Sequence, residues 1–310
     1  MPTLLTALVP VFLLILAGWG MRRWDFPGDA FWRPAERLTY YVLFPALLVR
    51  SLAAAPFAEL PIGTMAAALL GGLLATAVAA LVGGRLLRLD GGGVGALFQG
   101  SVRFNTYLGL AAAAGLYGAR GVTLAGLAIA VLIPLINVLC VAVLSRCNPA
   151  IEAHWGRVAG AVARNPLILA CLVGLGLNFA GLRLPVMVDE SLAILARAAL
   201  PLGLLAVGAG LELRGTPGSL PALITASALK LLLFPLLSLG ISLWIGLDAL
   251  AAGVVVLFSA LPGATSAYIL ARQLGSDYRL TAAILTVETG LSLFTLPLAL
   301  WLAGRLAPLS

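Results

Sequence analysis

Ser259-Ala260-Leu261-Pro262-Gly263-Ala264-Thr265-Ser266-Ala267-Tyr268 interrupts an apolar run, residues 249–272, and its reading decides the fold. Proline has no amide hydrogen, and glycine disfavours a helix by about 1 kcal/mol, so Pro262-Gly263 predicts a break halfway along the run. A bilayer core of about 30 Å takes roughly 20 helical residues to cross, which is close to the length of this run. Unwound backbone in hydrocarbon leaves polar groups unsatisfied, at several kcal/mol each. A break at that depth predicts a cavity or binding site against it. Thr265 and Ser266 are placed to cap the second half-helix and turn hydroxyls inward. The competing reading is a simple proline kink.

The run is one of about ten, at approximately 4–21, 38–55, 61–84, 93–118, 121–145, 164–182, 188–211, 219–245, 249–272 and 280–304. Of 310 residues, 62% are hydrophobic and 10% charged, with mean hydropathy +1.09. A soluble domain carries about a quarter charged residues, so lipid is the expected solvent for most of this chain. Nothing alternates in the ten-residue pattern of a membrane barrel, which leaves helices. A net charge of +7 could suggest nucleic acid, but the basic residues are scattered between apolar runs, so no nucleic acid is expected. Cys140, Cys147 and Cys171 lack metal-ligand spacing and read as small apolar residues, and His154 is assigned no role. Residues 4–20 have no basic residue before them and Arg22-Arg23 after them, which reads as a first span and not a signal peptide.

Basic residues predict the orientation. The odd-numbered connections hold 12 Lys or Arg, whereas the even connections and termini hold 3, namely Arg120, Arg183 and Arg305. This places the odd connections in the cytoplasm and both termini outside, as a multi-pass protein of a cell inner membrane. Residues 146–163 form the longest connection and separate residues 1–145 from 164–310. Five spans is an odd number, so the second half lies inverted relative to the first. Several features pair across the halves: Pro45 with Pro201, the interrupted fourth and ninth spans, Thr123 with Thr281, and Asn137 with Glu288. The expected fold is an all-α membrane protein of ten transmembrane helices in two inverted five-helix repeats, with the interrupted helices 4 and 9 crossing. Two such repeats can exchange conformations and so provide alternating access.

The counterpart of the opening stretch is Arg103-Phe104-Asn105-Thr106-Tyr107-Leu108-Gly109 in the fourth span. Asparagine and threonine at mid-membrane need partners and mark function by default, although Asn105 also reads as a helix-packing hydrogen bond. Two half-helix N-termini meeting at the midplane would favour an anion such as a carboxylate. Arg50 or Arg103 could attract that carboxylate, and Arg103 is the better placed; snorkelling or pairing is the plain alternative. Arg197 lies mid-span with no assigned partner. Asn137, near Pro134, adds a polar wall. Glu288 sits about eight residues into the tenth span, where an ionised carboxylate must pair, bind a cation or stay protonated. It is a candidate for coupling to H⁺ or Na⁺; the alternative is a structural ion pair with Lys230 of the eighth span.

These stretches, with Leu43-Phe44-Pro45-Ala46-Leu47-Leu48 and Ala271-Arg272-Gln273-Leu274-Gly275, resemble the auxin efflux carrier family. That family includes plant auxin exporters and bacterial permeases assigned to malate and similar acids. The short central connection is similar to prokaryotic members. The resemblance implies a scaffold domain, a transport domain and a substrate site bordered by Asn105 and the Pro262 region. In place of the proline that usually follows the family's fourth-span motif, this chain reads Gly109-Leu110-Ala111.

The leading expectation is thus a secondary transporter of small organic anions, with Arg103, Asn105, Thr106, Tyr107, Asn137, Pro262, Gly263, Thr265 and Ser266 at the substrate and Glu288 and Lys230 coupling ions. No nucleotide-binding motif, cofactor site or enzyme signature is present, so H⁺, Na⁺ or the substrate's own gradient would supply the energy. The expected partners are the anion, the coupling ion, the lipid bilayer and a second copy in a homodimer. The alternatives are a sodium/proton antiporter, which usually has paired carboxylates, and a ligand sensor that binds without flux.

Overall fold

The computed structural model describes residues 2–55, 60–147, 156, 160, 163–211, 219–264 and 266–307, and every regular element among them is helical. In chain order these are α1 (Pro2–Arg23), α2 (Asp29–Leu38), a π-helical stretch (Thr39–Leu43), α3 (Phe44–Ala53), α4 (Ile62–Leu86), α5 (Gly91–Val102) and α6 (Thr106–Cys147). The second half continues with α7 (Pro166–Phe179), α8 (Val186–Ala209), α9 (Leu220–Ala228), a π-helical stretch (Leu229–Leu233), α10 (Phe234–Trp244), α11 (Ala249–Ala260), α12 (Ser266–Gln273) and α13 (Tyr278–Leu306).

Six stretches of the described residues are long and apolar enough to cross a membrane: Thr6–Arg23, Ile62–Leu86, Gly91–Cys147, Val186–Ala209, Leu220–Trp244 and Tyr278–Leu306. Sequence reading expects about ten, and the difference has local causes. Gly91–Cys147 contains three helical pieces, because residues 103–105 are unwound and α6 turns at Gly118, where φ is +58°. That sign of φ suits glycine, which has no Cβ to clash. The sixth and ninth apolar runs become the shorter helices α7 and α11. The second begins earlier than expected, at Asp29, because α2 runs directly into it.

Polar punctuation in the sequence becomes helix N-caps. Asp90, Asn165, Asp248 and Asp277 each accept a backbone N–H of the turn they open, at 2.7–2.9 Å. Their carboxylate or amide oxygens satisfy donors that the helix itself leaves free.

Both π-helical stretches end at a Phe-Pro pair, Phe44-Pro45 and Phe234-Pro235. The proline ring has no N–H to donate and crowds the carbonyl four residues back, so the preceding turn widens. Pro45 therefore shares its local setting with Pro235. Pro201, its expected counterpart, lies inside the unbroken α8.

Packing sorts the helices into two groups. In one, α1 packs on α8, and α3 packs on α7 and α8. In the other, α4, α5, α10, α11 and α13 pack on each other, and α6 touches both groups. Without a hydrophobic force between helices in lipid, close backbone approach holds such contacts. At the α1–α8 crossing, Gly208 faces the Ile15 carbonyl, and a Cβ there would lie 1.8 Å from that oxygen. Arg50 of α3 forms a two-pronged pair with Asp189 of α8, at 2.8 and 3.1 Å, on the exposed surface. Arg197 is also exposed.

The α3–α7 contact depends on Asn178, whose amide donates to the carbonyls of Ala53 and Ala55 at 2.9 and 2.8 Å. These are end-of-helix acceptors with no helical partner. Asn178→Ala should lower stability by about 1–3 kcal/mol, two net hydrogen bonds' worth. A fall of a few degrees in thermal melting of the detergent-solubilised protein would bear this out, and an unchanged midpoint would not.

Candidate functional site at the helix crossing

Both expected breaks are present. Arg103, Phe104 and Asn105 are non-helical between α5 and α6, and Leu261–Ala264 are non-helical between α11 and α12. The breaks touch: the Asn105 N–H donates to the Pro262 carbonyl at 2.8 Å. The fourth and ninth segments therefore meet at their unwound residues, and the simple-kink reading of Pro262 does not hold.

The first break forms without a proline. Asn105 makes it, because its side-chain oxygen accepts from the backbone N–H groups of Tyr107 and Leu108, both at 3.1 Å, and so starts α6. A cap of this kind requires the capping residue itself to leave helical geometry. Gly109 then allows close approach, since a Cβ there would lie 2.7 Å from Leu261 Cδ1. Asn105 is thus a helix-starting residue with its oxygen committed. Two amides of the first turn of α6 are therefore already engaged. Gly263 N–H is likewise taken, donating to Glu288 Oε2 at 2.8 Å.

Arg103 follows α5 directly and is 8% exposed. Its guanidinium donates through Nη1 to Ser266 Oγ at 2.9 Å and through Nη2 to Asn137 Oδ1 at 2.8 Å. The planar fork thereby ties the first break to the start of α12 and to the distal part of α6. Its Nε has no hydrogen-bond partner.

A cavity of about 510 Å³ opens against this cluster. Of the residues singled out from sequence, Arg103, Asn105, Thr106, Tyr107, Asn137 and Ser266 line it. A second space of about 190 Å³ is lined by Asn105, Tyr107 and Gly263 together with Thr286 and Thr289. Pro262 is buried and lines neither cavity. Thr265 lies outside the described residues.

Sequence reasoning missed the mouth. Arg33, Glu36 and Arg37 of α2, Tyr40 and Tyr41 of the first π-helical stretch, and Asn165 also line the larger cavity. Arg33 and Arg37 are exposed. In sequence they read only as topology signals in a connection. The buried pair Trp32 and Ala35, three residues apart, was the available sign that this connection is an amphipathic helix.

Lys230 and Glu288 are both fully buried and line neither cavity. They are not a hydrogen-bonded ion pair, because Lys230 Nζ and Glu288 Oε1 have no partner. The ammonium sits over the rings of Phe234 at 4.6 Å and Phe104 at 6.0 Å. Aromatic faces attract a cation, which explains how the lysine is held.

Chemically, the cavity offers a cation at its buried end, with α6 and α12 beginning beside it. Helix N-termini and a guanidinium act in the same sense, towards negative charge. The described lining has no nucleophile–base pair and no metal-ligand cluster.

Residues 158–301 match the family described as "Membrane transport protein". Over 296 residues the chain is 27% identical to an "Uncharacterized transporter" of Methanothermobacter thermautotrophicus, covering 93% of this chain and 94% of that protein. Over 162 residues it is 30% identical to a "Putative malonate transporter" of Rhizobium meliloti, covering 51% of this chain and 49% of that protein. The family is one of membrane transporters, and the apolar helices accord with a multi-pass membrane protein.

Asn137 fixes one arm of the Arg103 guanidinium by this geometry. Asn137→Ala frees one arm of Arg103, and the expected result is about tenfold weaker anion binding with little loss of stability. Titration of purified protein with a carboxylate, by calorimetry, reads this; unchanged affinity would remove Asn137 from the site.

Proposed function

We propose that this protein is a secondary transporter of small organic anions, carboxylates first among them, working by alternating access in a cell inner membrane. The observation that carries the reading is Arg103, a buried guanidinium at the unwound crossing of two helices and at the buried end of a cavity of about 510 Å³. Unwound backbone at membrane depth is tolerated where it lines a cavity, and a fixed cation there selects anions. Thr106, Tyr107, Asn137 and Ser266, with Thr265, would complete the cargo site.

The two-repeat reading, 1–145 and 164–310 joined by 146–163, draws support from α5 and α11. Each has 12 residues, is capped by an aspartate, Asp90 or Asp248, and ends at an extended residue, Arg103 or Leu261. Helices α1, α3, α7 and α8 would form the scaffold, and the other packing group the moving part. The charge asymmetry supports both termini outside, so that the mouth carrying Arg33 and Arg37 faces the cytoplasm. Glu288 and Lys230 are the proposed pair for handling a coupling proton, and a homodimer is the proposed assembly.

Counterflow in proteoliposomes tests the function. Vesicles preloaded with a carboxylate should accumulate the labelled acid, with malonate, the acid in the Rhizobium relative's name, tried first. Binding without counterflow would instead favour a sensor, and neither binding nor counterflow across a carboxylate panel would end the anion reading.

A further inference from the structure

Two opposite charges are buried at the crossing, and each is tied to one break. Lys230 sits over the ring of Phe104 in the first break, at 6.0 Å. Glu288 accepts the N–H of Gly263 in the second, at 2.8 Å. The two breaks touch at Asn105 and Pro262, and the stretch that carries Lys230 packs against α13, which carries Glu288. Each still has unused bonding capacity, at Nζ and Oε1, and both polar atoms of the buried Gln99 on α5 are also unpartnered.

The π-helical stretch that carries Lys230 packs against α4, α5, α9, α10, α11 and α13. Apart from Glu288, these six helices hold few titratable side chains: Arg85 near the end of α4, and Tyr278, Arg279 and Arg305 near the ends of α13. Among the described residues, the one other buried charge at the crossing is Arg103. At the cavity mouth, Arg33 and Arg37 are exposed, with Glu36 between them, so water screens that group.

A lysine and a glutamate together sum to zero charge wherever the shared proton rests, on nitrogen or on oxygen. A buried carboxylate in a membrane protein ordinarily needs a cation, and here the chain supplies one covalently. An alkali ion would then have no uncompensated charge to occupy, and the crossing would carry the single positive charge of Arg103. Low dielectric penalises an unbalanced charge of either sign.

We propose that the cargo crosses as one net negative charge and without a co-transported alkali cation, because Lys230 is the built-in counter-cation of Glu288. A monocarboxylate satisfies this directly, and a diacid does so as its hydrogen anion. The proposal rests on the transport reading and specifies its cargo.

The test is counterflow in proteoliposomes, with a monocarboxylate in one arm and malonate in the other. Replacing all Na⁺ and K⁺ by choline should change the monocarboxylate rate less than about twofold, whereas loss of a required coupling ion would lower it by about tenfold or more and overturn the proposal. Malonate flux should fall with rising pH in step with its hydrogen anion, and flux that follows the dianion would overturn the proposal as well. Lys230→Met should make binding depend on Na⁺ or on protonation, read as a cation-dependent thermal shift, and Lys230→Met with Glu288→Gln should abolish that dependence. Indifference of the single variant to both Na⁺ and pH would overturn the counter-cation role. If the single variant does not fold, the two wild-type arms decide the question. Absence of counterflow for every acid instead defeats the transport reading, so the two failures are distinguishable.

Discussion

Arg103→Ala should reduce carboxylate counterflow by about 100-fold, the largest functional effect expected from any single change in this protein. Truncating one partner of a buried, hydrogen-bonded charge contact costs about 2–5 kcal/mol, and 2.7 kcal/mol is roughly a factor of 100. Part of that loss is structural, since the side chain also holds Ser266 and Asn137 together. Arg103→Gln separates the two roles. Glutamine has an amide that can donate to one of these oxygens but carries no charge, so this variant should melt close to the wild type and still fail to bind the anion. Arg103→Lys keeps the charge but not the fork, and an ammonium on a flexible stem is expected to bind about tenfold more weakly than the guanidinium. Initial counterflow rates, with melting measured on the same preparations, check all three. Retention of wild-type rate and affinity in Arg103→Gln would mean that the cavity does not select its cargo by charge.

The largest structural effect is expected at Gly208. Its missing Cβ would lie 1.8 Å from the Ile15 oxygen, 2.7 Å from the Ile15 carbonyl carbon and 2.9 Å from the Trp19 nitrogen. All three are backbone atoms of α1, so no side-chain rotation relieves the clash. Gly18 makes the reciprocal approach, with a hypothetical Cβ 2.1 Å from the Leu205 oxygen. Gly208→Val must push α1 and α8 apart along a contact held only by close packing. Overpacking of this kind costs about 3 kcal/mol or more, which for a protein of this size lowers the melting temperature by roughly 5 °C or more. Gly290→Ala is the control, because nothing lies within 4 Å of its Cβ position. Equal melting of the two variants would show that the α1–α8 crossing does not hold the scaffold together. A Gly208→Val protein that binds the anion normally after mild solubilisation would place the damage in the scaffold and leave the site intact.

The existence of the site was readable from composition and a few residues. Pro262-Gly263 within an apolar run announced a break, because no residue order repairs a missing amide hydrogen and a flexible backbone together. Arg103, Asn105 and Asn137 announced themselves as strongly polar groups in segments with no water to solvate them. What they do there was not readable. Asn105 looked like a cargo ligand, and the structure spends its oxygen on starting α6. Glu288 and Lys230 looked like a hydrogen-bonded ion pair, but each is oriented by a different break. The mouth was hidden for a different reason: Arg33, Glu36 and Arg37 lie in a connection, where charge needs no explanation.

The amino-acid order by itself determined that the chain lives in lipid, that it is helical, and where two of its helices fail. These properties follow from hydrophobic transfer and from backbone hydrogen bonding, which act locally along the chain. Only the tertiary structure decided that the two failures meet, at Asn105 N–H and the Pro262 carbonyl, and that Arg103 reaches across 34 residues to Asn137 and 163 to Ser266. Such contacts depend on how helices stack in three dimensions. In lipid that stacking is set by close packing and unmet hydrogen bonds, which no single segment carries within itself.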